Sequence, residues 1–242
     1  MTRKRSHAQG ERVTRNPWPE VYEKTPDIYI WGTEPSPLAR ELAGMLHAGA
    51  RILDLGCGEG RDSVFFAEQG FDVTGLDSSL AGLEKAGRLA DGRGVPIRWV
   101  HSAMPQIPAD GPFDLVYSCG SIHYVSRGRR PQLCGRLRAL TAAGGLHAHV
   151  VFTDTLIYRE MGEVIDYFRP GELADAYADW AIVRREEGLI ACDRDGTQHV
   201  HSVDVVLARN QQRRDALSAS SREEAESCVD TPSRPPQQSS PS

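Results

Sequence analysis

Short apolar runs alternate with stretches of helical spacing along most of this chain. Arg51–Leu55, Phe71–Asp77, Ile97–Ser102, Pro112–Cys119 and Leu146–Phe152 are short and apolar enough to be buried strands. The segments between them carry helix signals. Ser36-Pro37 opens one helix, with serine as cap and proline in the first turn; Leu38, Leu42 and Leu46 form its apolar stripe and Gly49 closes it. Asp62–Gln69 is a second helix, stopped by Gly70. Ser78 or Ser79 caps a third, with Leu80, Leu83 and Leu89 on its core face. Another is predicted around Pro131–Thr141, after which Gly144-Gly145 turns the chain into the fifth strand. Beyond it the pattern changes. Glu172–Asp179 reads as helix, and Trp180–Cys192 and Gln198–Ala208 read as two strands joined around Asp195-Gly196. Strands alternating with helices require a parallel sheet covered on both faces. The expected fold is therefore α/β: a doubly wound, mostly parallel seven-stranded sheet with an antiparallel C-terminal hairpin.

The ends differ in composition. Residues 1–16 are basic and polar without the apolar stretch of a secretory signal, and 210–242 are rich in Ser, Pro, Gln, Arg and Glu. Both are expected to be disordered tails around a single domain at 17–209. A net charge of −5 gives no nucleic-acid footprint, and no apolar run approaches the length of a membrane span. Five cysteines, an odd number without a CxxC pair, argue against a disulfide framework and fit a reducing, cytoplasmic setting.

Chemistry concentrates after the first strand. In Asp54-Leu55-Gly56-Cys57-Gly58-Glu59-Gly60 an acid precedes three alternating glycines, and a helix follows. A strand, a glycine turn and a helix start make a nucleotide-cofactor loop, and Asp77 ends the next strand where a carboxylate holds ribose hydroxyls. The dinucleotide fingerprint wants its last glycine at 61, where this chain has Arg61. Asp54 would also repel a pyrophosphate and attract a cation.

This set resembles the class I S-adenosylmethionine-dependent methyltransferases. Gly60-Arg61-Asp62-Ser63, Gly70–Asp77, Phe168–Leu173 and Trp31-Gly32-Thr33-Glu34-Pro35 are similar to the tellurite-resistance and thiopurine (thiol) methyltransferase group. The resemblance spans about 17–209 and implies a Rossmann-like methyltransferase fold with S-adenosyl-L-methionine as cofactor. It implies that Asp54 orients the cofactor's ammonium and that backbone at Gly56, Cys57, Gly58 and Gly60 packs against its methionine part. Asp77 would take the ribose hydroxyls, with Ser78, Ser102 and Ala103 beside the adenine. Ser118 and Cys119 would lie where the methyl group meets the acceptor, and Tyr22 and Trp31, with Trp18, would form an aromatic lid. Many relatives carry Asp at the position of Ser102, which can still accept one hydrogen bond.

His123 and Tyr124 follow the fourth strand and are candidates for catalysis or acceptor contact, His123 as general base. Cys119 has no activating base near it in sequence and is expected to offer backbone contact only. Arg127, Arg129 and Arg130 are a solvated cluster or an anionic-acceptor handle. His147/His149 and His199/His201 alternate on their strands and could pair on a metal, but no third ligand has suitable spacing, so no metal is expected. The expected reaction is methyl transfer to a small-molecule acceptor, a thiol or chalcogen being favoured because no clear base stands out. O- or carboxyl-methylation in natural-product biosynthesis, and a non-catalytic cofactor-binding protein on the same fold, are the alternatives.

Overall fold

The computed structural model describes residues 14–211. The expected tails at 1–16 and 210–242 otherwise lie outside the described residues. Residues 14–16 and 210 are not loose: Arg15 bridges Val164, the Thr14 hydroxyl donates to the Tyr124 carbonyl, and Asn210 is buried and donates its amide to Gly145.

Seven strands form one sheet: β1 (Arg51–Leu55), β2 (Asp72–Asp77), β3 (Arg98–His101), β4 (Phe113–Cys119), β5 (Thr141–Phe152), β6 (Ala181–Cys192) and β7 (His199–Arg209). Their order is β3-β2-β1-β4-β5-β7-β6. The first five are parallel and β7 is antiparallel to both β5 and β6, as the change of pattern predicted. The helices are α1 (Trp18–Lys24), α2 (Pro37–Ala43), α3 (Arg61–Glu68), α4 (Leu80–Arg93), α5 (Arg130–Ala139) and α6 (Glu172–Asp175). Among the described residues no helix is long and apolar enough to cross a membrane.

Strand alternation makes two cores. Ile52, Leu115 and Ala148 face α2 and α3, packing with Leu38, Leu42 and Phe66. Leu53, Val116 and Val151 face the other side and pack with Leu133, Leu137, Leu173 and Tyr177. Each layer removes a continuous apolar surface from water, the main force holding such a sheet together.

Three sequence readings need correction. The helix opened by Ser36, whose hydroxyl accepts from the Ala39 amide as expected, ends at Ala43 rather than near Gly49. Leu80 is 56% exposed: it is the first residue of α4, a full turn before the helix meets the core through Leu83, Ala86 and Leu89. Gly144-Gly145 lies within β5, because the strand already pairs at Thr141 with Phe113 and then bulges before Leu146 meets Leu115. Asn210 and Gly145 tie that bulge to the end of β7.

Candidate active site

The carboxyl ends of β1, β2, β3 and β4 open into a cavity of about 410 Å3 at the point where the chain order reverses between β1 and β4. Open parallel sheets bind ligands at such a point, because the loops on either side of it diverge.

The glycine loop forms its floor. Gly56, Gly58 and Gly60 all have positive φ, at 68°, 54° and 84°. The loop is closed internally. The amides of Gly56 and Cys57 both donate to the Leu76 carbonyl, that of Gly60 to Cys57, and that of Gly58 to Asp77 Oδ2 at 2.9 Å. These four amides leave no nest for a pyrophosphate, which needs convergent free N–H groups.

The three glycines are needed for different reasons. A Cβ at Gly56 would sit 2.3 Å from Ser121 Cβ, and one at Gly58 would sit 2.9 Å from Tyr22 Oη. At Gly60 it would meet Ala86 Cβ at 2.6 Å. Gly60 does not line the cavity, so its expected contact with a ligand is corrected: it is the site where α4 closes on the start of α3.

Two acids face this floor. Asp54 is 3% exposed and accepts from the Ser63 hydroxyl at 2.6 Å. Burial, with Asp62 nearby, pushes its carboxyl up to about 8. Asp77 is likewise raised by burial, against the pull of backbone amides at Ser79 and Gly58. Arg61 also lines the cavity, held by the Trp31 carbonyl and by Asp62 at 3.8 Å. Asp62, read in the sequence as the start of the second helix, has a larger part. In the fold it accepts from the Ser36 amide and the Tyr117 hydroxyl, so it ties α2, α3 and β4 together beneath the cavity.

An aromatic cluster covers the glycine loop. Trp31 Nε1 donates to Tyr22 Oη at 2.9 Å, and the Trp18 and Trp31 rings lie 4.7 Å apart at 58°. All three line the cavity. Their anchor was missed in the sequence. Glu59 of the loop is paired with Lys85 and accepts from the Ile30 and Trp31 amides, while Lys85 Nζ donates to the carbonyls of Thr25 and Ile28. Both side chains are 1% exposed. A lysine in the middle of a predicted core-facing helix was the available signal: such a charge is buried only with a partner.

Cys57, Ser78, Ser102, Ala103 and Cys119 line the cavity where the sequence put them. The Ser102 hydroxyl donates to the Gln106 carbonyl at 2.8 Å. Burial raises both thiols, Cys119 to about 11, so both are protonated at neutral pH. Ser118 is corrected: strand alternation turns it to the opposite face, where its hydroxyl meets His149 Nδ1 at 2.8 Å. Tyr124 lines the cavity, accepts from Trp18 Nε1 and donates to Glu163 Oε2 at 2.5 Å.

His123 is corrected too. It is fully buried, does not line the cavity, and stacks on Phe152 at 4.3 Å and 17°. Its Nδ1 accepts from the Phe152 amide, and burial, with Arg130 nearby, lowers it to about 3. It is a neutral packing ring, not a base facing an acceptor. Arg127 and Arg130 are not a handle here. Both bind Glu172, and Arg130 lies 3.6 Å over the Phe168 ring, away from this cavity.

The paired histidines separate. His147 and His149 are satisfied by Thr141, Ser118 and Tyr177. His199 and His201 instead meet Glu160 and Cys192 at the β5–β7–β6 end of the cavity, which overturns the expectation that no third ligand is at hand.

Comparison with known proteins bears on this geometry. Residues 52–145 match the family described as a methyltransferase domain. Hemagglutinin 1 of Eikenella corrodens is 28% identical over 142 residues, which is 59% of this chain and 47% of that protein. The chain spans less than half the length of the curated relatives it matches first. TehB from Haemophilus influenzae superposes with a TM-score of 0.65 at 21% identity, covering 72% of this chain and 62% of TehB. The N-methyltransferase NodS from Bradyrhizobium japonicum, solved with S-adenosyl-l-homocysteine, superposes with a TM-score of 0.61 at 16% identity, covering 81% of this chain and all of NodS. Residues 52–145 thus match a methyltransferase-domain family model, and the chain shares the fold of TehB and NodS.

Proposed function

We propose that the protein transfers the methyl group of S-adenosyl-L-methionine to a small-molecule acceptor. One observation carries this reading. The cavity combines a carboxyl raised by burial, an arginine, a second carboxylate at the end of β2, and a glycine loop whose amides are already used. An α-amino acid joined to a nucleoside and free of phosphate fits that set. Asp54 would accept from the ammonium, Arg61 would face the carboxylate, and Asp77 would accept from the ribose hydroxyls. Ser78, Ser102 and Ala103 would border the adenine. The cradle suits this group: Gly56 and Gly58 line the cavity with backbone, in a positive-φ turn where a Cβ would run into Ser121 or Tyr22 and force the loop to shift.

When bound, this cofactor supplies a methyl group on a positively charged sulfur. The chain's own part is to align and to dry. Trp18, Tyr22 and Trp31 exclude water above the loop and present ring faces, each worth roughly 0.5–2 kcal/mol to a nearby cation. Alignment of the reacting atoms in such a pocket supplies most of the acceleration available without a base. With His123 buried and neutral, and Tyr124 already donating to Glu163, neither is free to take an acceptor's proton. This favours a soft acceptor, a thiol or a chalcogen anion, over a hydroxyl.

Calorimetry with S-adenosylhomocysteine, followed by transfer of labelled methyl across thiols, tellurite and hydroxylated or carboxylated metabolites, tests both levels. Micromolar binding and methylation of sulfur or tellurium are expected. Methylation of oxygen acceptors alone would defeat the soft-acceptor reading, and absence of cofactor binding would defeat the whole of it.

A further inference from the structure

Among the described residues, Glu160, Cys192, His199 and His201 each present one ligand atom within 4.8 Å of the others. The topology makes this meeting. β7 runs against the parallel strands, so its first residues arrive at the same rim as their carboxyl ends. Cys192, at the end of β6, pairs directly with His199, and His201 lies two residues on, on the same face. Glu160 comes from the short 3-10 turn after β5. Four donors from three segments, scattered through the sequence, become one cluster.

The contacts are unusual for groups left to themselves. His199 Nδ1 lies 2.7 Å from the Thr197 carbonyl, an acceptor, so this nitrogen carries a proton. In the neutral ring Nε2 is then a bare lone pair, and it faces Glu160 Oε1 at 2.8 Å and His201 Nε2 at 2.9 Å. Cys192 Sγ and His201 Nε2 also point at Glu160 Oε1, at 3.0 and 3.5 Å. Side chains of Glu160, His199 and His201 are 2–4% exposed, so water does not offset this convergence. The His199 Nε2 lone pair set against the Glu160 carboxylate in a buried space calls for a cation between them, which would take the place of the proton that the Cys192 thiol donates to Glu160.

We propose that these four residues bind a zinc-class divalent metal ion. Two imidazoles, one thiolate and one carboxylate form a borderline-soft tetrahedral donor set. Magnesium and calcium want oxygen ligands, of which the cluster offers one residue's worth. Ligands on a tetrahedral zinc stand about 3.3–3.8 Å apart, given bonds of about 2.0–2.3 Å. The close approaches in the cluster, 2.8–3.5 Å, need to open by up to about 0.5 Å, and separations of up to 4.8 Å need to close by up to about 1 Å. The supports for that are in place. Tyr158 stacks on His199 at 3.7 Å and 12°, and Phe152 stacks on His201 at 4.1 Å and 11°. Flat stacks fix the ring planes while allowing small in-plane shifts. The Thr197 carbonyl is the outer partner that zinc-bound histidines regularly have. Glu160, Cys192 and His201 border the same cavity as the glycine loop, so the ion would stand beside it.

The test needs no methyl transfer, so its failure and that of the cofactor reading are separable. The full-length protein is stripped with chelator, then titrated with Zn2+ by calorimetry and with Co2+ by absorption spectroscopy. One ion should bind per chain, and cobalt should give the intense visible bands of a four-coordinate site plus a thiolate-to-metal band in the near ultraviolet. Cys192→Ser should remove the thiolate band, and His201→Gln should weaken zinc by at least about 100-fold, since loss of outer partners alone costs 10–100-fold. Cys134→Ser, remote from the cluster, should change neither. Circular dichroism checks that each variant folds, and the wild-type cobalt spectrum decides the matter should a variant unfold. Weak, six-coordinate cobalt bands, or zinc binding unchanged in Cys192→Ser/His201→Gln, would overturn the proposal.

Discussion

The two ends of the cavity solve the problem of buried polarity in different ways. At the β1–β2 end, the carboxylates of Asp77 and Glu59 are held by backbone amides and, for Glu59, a lysine, while Asp54 accepts from the Ser63 hydroxyl. At the β5–β7–β6 end, imidazoles predominate and are held by stacking on Phe152 and Tyr158. The first end is organised around one continuous loop, Asp54–Gly60, to which Asp77, Lys85 and residues 30–31 are tied, and the second around segments that meet only through the sheet. A cluster assembled across strands depends on register, since sliding β7 by one residue would turn His199 and His201 to the other face.

Breaking the first end outright should give the largest effect. Lys85→Ala leaves Glu59 as an uncompensated buried charge, a loss typically worth about 3–5 kcal/mol. It should also release residues 25–31, and thermal unfolding together with proteolysis near Trp31 reads both. Next comes Asp54→Asn, expected to weaken S-adenosylhomocysteine about 100-fold, near the upper range for a charge-assisted hydrogen bond, while leaving the fold intact. Unchanged affinity in calorimetry would remove Asp54 from the site. Gly60→Ala separates packing from binding: with φ at 84° and Ala86 at 2.6 Å, it should cost about 1–3 kcal/mol of stability. Cofactor affinity in the folded fraction should hardly move.

The pH dependence sharpens the contrast. Burial lowers His123 and His149 to about 3, and His147 well below its usual value, so the unfolded chain binds their protons first. Their contribution is fully present above about 6.5 and is lost as pH falls toward 3, at up to roughly 1.4 kcal/mol per unit for each ring. Asp54 works in the opposite direction. Its folded carboxyl, at about 8, holds a proton that the unfolded one releases near 4, so its contribution falls as pH rises between those values. Melting temperature should therefore peak near pH 6.5, and Asp54→Asn should flatten the decline on the alkaline side. A profile that falls equally steeply above pH 6.5 in this variant would contradict the assignment. The smallest effect is expected of Tyr124→Phe: about 1 kcal/mol of stability from its contacts with Trp18 and Glu163, and little change in turnover.

The glycine loop, both acids, the positions of the strands and the late hairpin could be read from the chain because each is a local pattern. Apolar runs at strand length, positive-φ glycines and an acid at a strand tip are fixed by residues a few positions apart. What misled was also local. His123 follows a strand that ends at the site, which says nothing of its rotation; the turn after β4 sends it down beside Phe152. Ser118 was named with Cys119 although adjacent strand residues face opposite sides of a sheet.

The sequence by itself determined the fold class and the position of the glycine loop with its two acids, consequences of short-range backbone geometry. Tertiary structure alone decided that Glu59 holds Lys85, that His123 is buried, and that Glu160, Cys192, His199 and His201 converge. Those depend on distances between segments far apart in the chain, which no spacing along it encodes.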